Sequence, residues 1–189
     1  MTHSAPTRWN GFAQLLHWLI ALLIVGLGIL GLVMTDMAPS MDKLKIYALH
    51  KSFGITVLML VGLRLVWRLA TKHPPELPGP AWQRRSASVV HGLLYVMMFV
   101  VPLSGWLFNS AANSALQWFG LFHVPALWGA DPAMKHLARE VHEDGFWILA
   151  ALVGLHVAAA LKHHYFDHDE TLRRMLPGIP PPKPDGENP

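Results

Sequence analysis

The chain has 189 residues, of which 52% are hydrophobic and only 14% charged, against roughly 25% charged in an ordinary soluble domain. That composition excludes a disordered chain and argues against a soluble globular one. Twelve histidines and no cysteine exclude disulfides, thiolate zinc, cysteine-held iron–sulfur clusters, covalent c-type haem and a cysteine nucleophile. Imidazole metal sites, haem b ligation and proton handling remain. A net charge of +3 on so apolar a chain fits the basic loops of a membrane protein better than nucleic-acid binding, and no nucleic-acid partner is expected.

In chain order, four stretches have the length and apolar character of membrane spans. The first covers residues 14–34. Its apolar core is longer than that of a cleaved signal peptide, so it is read as a retained helix. The second covers 47–68 and carries Arg64 and Arg68 near its end. A linker with Pro74, Pro75, Pro78 and Pro80 leads to the third, 88–108, whose exit is marked by Asn109 and Asn113. The longest loop is expected from Asn109 to Glu140, with Trp118, Phe119, Phe122 and Trp128 in the membrane interface. The fourth span covers 141–163. Residues 1–176 thus read as one all-α integral membrane four-helix bundle, and 177–189 as a proline-rich disordered tail.

Orientation follows from lysine and arginine. Arg8, Arg64, Arg68, Lys72, Arg84, Arg85, Lys162, Arg173, Arg174 and Lys183 fall on one side. Lys43, Lys45, Lys51, Lys135 and Arg139 fall on the other. Ten against five predicts both termini in the cytoplasm.

A histidine within a span is costly and marks function by default. His17, His50, His91, His142 and His156 lie within spans, and His163 closes the fourth. His142 and His156 are 14 residues apart, so they face nearly the same side at levels about 21 Å apart. That spacing suits two cofactors, one toward each membrane face. Span direction puts His50 at the outer level with His142. It puts both His17 and His91 at the inner level with His156, and depth alone does not choose between them. Two matched pairs point to two haem b groups held by imidazole only. Gly26, Gly28, Gly31, Gly54, Gly62, Gly92 and Gly154 offer close approach to macrocycles or neighbouring helices.

Other polar residues suggest supporting roles. Arg64 is a candidate partner for an inner haem propionate, or a snorkelling cation. His163, with Lys162 and His164, forms a polar cluster at the inner mouth and is a candidate proton relay for a quinone. The outer lysines and Arg139 would make a basic funnel for an anion, but Asp36, Asp42, Asp131, Glu140, Glu143 and Asp144 lie among them.

Four motifs carry a family resemblance: LLHW at Leu15–Trp18, LHKSFGI at Leu49–Ile55, HGLLY at His91–Tyr95, and LHVAAALKHHYFDHDETLRRMLPG at Leu155–Gly178. In this order and spacing, across roughly residues 8–178, the chain resembles the bacterial cytochrome b561 family of four-helix dihaem membrane cytochromes. The resemblance implies His17 with His156 as axial ligands of the inner haem b iron, and His50 with His142 of the outer one. His136 stands as the alternative to His142. His91 then becomes a group beside the inner site and not a ligand. The resemblance also implies electron transfer across the bacterial inner membrane, to or from ubiquinone as substrate and partner, in a respiratory chain. One branch resembles superoxide oxidases, which pass electrons from superoxide to quinone. A haem-bearing anchor subunit for a dehydrogenase, and a separate periplasmic electron donor, are the other expectations.

Overall fold

A computed structural model of the chain describes residues 6–178. Four long helices dominate it: α1 (Gly11–Asp36), α2 (Met41–Ala70), α3 (Ala81–Ala111) and α4 (Pro132–Tyr165). All four are long and apolar enough to cross a membrane, and each predicted span lies inside one of them. The expected tail falls almost wholly outside the described residues.

Every helix is longer than its span because its ends are polar. Hydropathy finds only the bilayer-crossing part, whereas caps set the true start. The Asn10 side chain accepts from Ala13 N–H at 2.9 Å and also takes the Trp67 indole N–H at 3.1 Å, tying the start of α1 to α2. Ser40 caps α2 through Lys43 N–H. Asp131 caps α4, accepting from Ala133 and Met134, with Pro132 at the first helical position. Asn10→Ala is expected to destabilise the fold by about 1 kcal/mol, measured by thermal unfolding in detergent.

The early start of α4 corrects the expected 109–140 loop. The connection spans only residues 112–131, and 132–140 are helical. Part of this connection is ordered against the helices. Strands β1 (Gln117–Trp118) and β2 (Phe122–His123) form a hairpin with a three-residue loop that folds onto α2. The Trp118 indole N–H donates to Thr56 Oγ1 at 3.1 Å, and Phe119 N–H donates to Ser52 Oγ at 3.0 Å. The turn residues Phe119 (φ 49°) and Gly120 (φ 73°) are both left-handed, as a hairpin of this twist requires. Glycine accepts that at no cost. Phe119 is held there by α2 and by its ring edge on Phe53, with centroids 5.0 Å apart.

At the opposite end the start of α1 meets the segment after α4. Arg8 donates to Leu176 O at 2.9 Å, Gln14 to Arg174 O at 3.1 Å, and Trp18 to Met175 O at 2.9 Å. Arg174 in turn reaches Pro75 O at 2.7 Å in the 71–80 linker. The segment after α4 therefore straps the start of α1 to the linker.

Between these ends, α2 packs on α1 and α3, and α3 packs most closely on α4. Gly145 permits that last contact: a Cβ there would meet Val101 Cγ2 at 3.2 Å. Among the described residues, α4 has no comparably close backbone contact with α1 or α2. Across these two wider seams the histidines face one another.

Candidate functional site: two levels of paired imidazoles

The first level lies toward the hairpin end. The His50 ring from α2 and the His142 ring from α4 have centroids 6.1 Å apart and planes at 82°. His142 Nδ1 lies 2.8 Å from Val101 O. A carbonyl only accepts, so Nδ1 carries the proton and Nε2 keeps its lone pair. Two glycines back the rings. A Cβ on Gly105 would lie 2.9 Å from His142 Cε1, and one on Gly31 would lie 3.3 Å from His50 Cε1. His50 Nδ1 is buried without a hydrogen-bond partner in the protein.

The second level lies toward the termini. There the His17 ring from α1 and the His156 ring from α4 have centroids 6.2 Å apart with planes at 75°. His91 from α3 approaches the same His156 ring more closely, at 5.3 Å and 66°. Depth put both residues beside His156, and the structure brings both there. Arg64 Nη1 donates to Ala13 O at 3.0 Å, one turn before His17 on α1. Between the two levels, the Phe146 ring from α4 reaches α1 at Gly28, where a Cβ would meet Phe146 Cε2 at 2.9 Å. Of the seven glycines singled out in the sequence, Gly28 and Gly31 alone have such a close neighbour. Gly105 and Gly145 escaped notice because a lone glycine has no sequence signature of what it touches.

His163 stands apart from both pairs, at the end of α4. Its Nδ1 is 2.7 Å from Asp169 Oδ2 and 3.0 Å from Asp167 Oδ2. Lys162 Nζ is 2.6 Å from the same Asp167 oxygen. Burial pushes the Asp169 carboxyl toward its neutral form, but hydrogen bonds from Thr171 and His163 outweigh it and hold the acid below its ordinary value. Its contribution to stability is therefore full above the ordinary carboxylate range and is lost as pH falls through the depressed value. These acids were not among the sequence candidates. Asp167 was legible as an i, i+4 partner of His163. Asp169 is not, because the chain must first leave the helix and turn at His168 (φ 53°).

Four other histidines among the described residues have ordinary surroundings. His73 stacks on Trp9, His123 lies against Gln117, and exposed His136 pairs with Glu140 and not with His50. His164 lies against its neighbour Tyr165.

Four apolar helices with imidazoles opposed at two interior levels define a multi-pass helical membrane protein. The prokaryotic cytochrome b561 family matches residues 8–178, and the chain belongs to that family. It is similar to cytochrome b561 homolog 2 of Escherichia coli (strain K12), with 34% identity over 175 residues, 92% of this chain and 93% of the relative. It is 32% identical to cytochrome b561 homolog 1 of the same organism over 165 residues, 86% of this chain and 93% of the relative. A Yersinia pestis protein named probable superoxide oxidase CybB is 29% identical over 163 residues, 86% of this chain and 92% of the relative. The chain is thus a haem-b-binding electron-transfer protein of the bacterial inner membrane.

The residues present fit that cofactor. Two imidazoles that bind one metal from opposite sides place their ring centres about 6 Å apart, given metal–nitrogen lengths near 2.0 Å. Both pairs have that separation. The His142 tautomer leaves Nε2 free to ligate, and the buried His50 Nδ1 has no competing protein partner.

Proposed function

We propose that the protein is a dihaem b cytochrome that moves electrons across the bilayer to or from ubiquinone. The observation that carries this reading is the pair of opposed imidazoles at each of two levels, 6.1 and 6.2 Å between ring centres. In this reading His17 and His156 hold one haem b and His50 and His142 the other. His91, at 5.3 Å from His156, is too close to be its partner across an iron and lies beside the site. Arg64 is the candidate partner for a propionate, since a guanidinium bonded to Ala13 O retains further donors. Both termini lie in the cytoplasm, which puts the His17–His156 level on the inner side.

Haem b, when bound, supplies a one-electron iron couple. The chain contributes four imidazoles, of which His142 is oriented by its hydrogen bond to Val101 O and packed against Gly105, and His50 is packed against Gly31. It also contributes apolar walls that exclude water, and two levels about 21 Å apart along α4. Ubiquinone takes up two electrons and two protons to become the quinol, so the inner face must also handle protons. His163, at the end of α4 and outside both pairs, is the candidate relay.

The test is the cofactor count of the purified protein. Two haems per chain are expected, both reduced by a ubiquinol analogue, and His91→Ala should retain both. One haem per chain, or loss of a haem in His91→Ala, would overturn the assignment.

A second reading is superoxide:ubiquinone oxidoreduction, favoured by the relative named for that activity. The hairpin end holds the five outer cations, but Lys45 is paired with Asp42 and Arg139 with Glu143. Those pairs weaken any attraction for an anion.

A further inference from the structure

Resting on the reading of His163 as the quinone proton relay, we infer that Asp169 is the positioning residue that fixes its imidazole. The geometry separates Asp169 from its neighbour Asp167. Both have an oxygen near His163 Nδ1, but Asp169 alone is hydrogen-bonded to it, at 2.7 Å. Asp167 is taken by Lys162 at 2.6 Å. Asp169 is also held on every side. Its Oδ1 accepts from Thr171 N–H at 2.8 Å, and its own N–H donates to His163 O at 3.1 Å. The residue therefore grips both the ring and the backbone of His163.

That grip has a chemical consequence. An ionised carboxylate can only accept, so it fixes the proton on Nδ1 and leaves Nε2 as the working nitrogen. When the imidazole is doubly protonated, the carboxylate offsets its positive charge. In the relay step the Nε2–H bond breaks and an O–H bond forms on the reduced quinone oxygen. The imidazole returns to its neutral Nδ1–H form, and water on the cytoplasmic side replaces the Nε2 proton. The two electrons enter separately, through the electron-transfer activity of the protein. Asp169 does not touch the quinone and does not itself exchange a proton.

Asn is the informative substitution because it keeps the size and the acceptor for Thr171. Its amide can turn an N–H toward Nδ1, however, and so stabilise the wrong tautomer. Steady-state ubiquinol-analogue turnover should be measured on the full-length holoprotein for wild type, His163→Ala, Asp169→Asn and Asp169→Glu. His163→Ala and Asp169→Asn are expected to lower kcat by at least about tenfold, with KM and haem content unchanged and with partial recovery in Asp169→Glu. If His163→Ala is impaired while Asp169→Asn turns over normally, the positioning role is wrong and the relay stands. If both turn over normally, the relay reading itself falls. Loss of haem in Asp169→Asn would make Asp169 structural and would equally overturn the inference.

Discussion

If each level holds one haem b as proposed, His142→Ala is expected to abolish or convert one haem signal and leave the second intact. The same result is expected for His50→Ala, because a six-coordinate iron needs both rings of its level. A haem that keeps one imidazole would bind more weakly and become high-spin, visible in absorption and in paramagnetic resonance. His17→Ala and His156→Ala should affect only the other level. The decisive pattern is non-additivity. His50→Ala with His142→Ala should lose little more than either alone, because the two act as one unit. His142→Ala with His156→Ala should lose both signals, because their levels are about 21 Å apart. A cross-level pair that behaves as one unit, or a single variant that loses neither signal, would break the assignment. The helical content of each variant should stay at the wild-type level, since the helices are satisfied by their own backbone bonds.

The same pairing explains how far the sequence could be read. The four helices were legible because a bilayer demands long runs without charge, and no other physical constraint on a chain is as visible. Their true ends were not, because hydropathy stops at Lys43, Asp42 or Arg139 while the helix continues to its cap. Asn10, Ser40 and Asp131 carried that information locally. The histidine levels were legible because rise per residue converts position into depth. Depth is one coordinate only, so it could not separate His17 from His91. Choosing between them needs the direction in which each ring projects, which position along a helix does not give; the two rings lie 6.2 and 5.3 Å from that of His156. The hairpin clamp was hidden for a related reason. Ser52 and Thr56 are 67 and 62 residues from their partners Phe119 and Trp118, and no local pattern announces such a contact. Both sit within two turns of His50, so the loop buttresses the same stretch of α2 that presents this ring. The hairpin loop therefore belongs to the histidine site.

Gly105 is where packing and function meet most tightly. The His142 ring meets α3 at two points: the Val101 carbonyl, 2.8 Å from Nδ1, and the bare backbone of Gly105. A Cβ on residue 105 would stand 2.9 Å from Cε1 and 3.0 Å from Nδ1. Real side chains do not tolerate that approach, so the ring or α3 must shift. The ring cannot move away without stretching its bond to Val101, and α3 cannot retreat without opening its close contact with α4 at Gly145. Overpacking of this kind costs about 1–3 kcal/mol, which corresponds to about a 5- to 150-fold loss of affinity. Gly105→Ala is accordingly expected to weaken haem retention at the His50–His142 level by that range, measured by haem loss to an apo-globin acceptor. Gly105→Val should empty that level and leave the His17–His156 level filled. Gly31→Ala should have a milder effect, because its Cβ would meet His50 Cε1 at 3.3 Å, and His50 has no backbone bond that pins its ring. Equal effects at the two glycines would show that contact with the imidazole is not what makes Gly105 necessary. A Gly105→Val protein with both haems retained would show that His142 is not held where α3 and α4 place it.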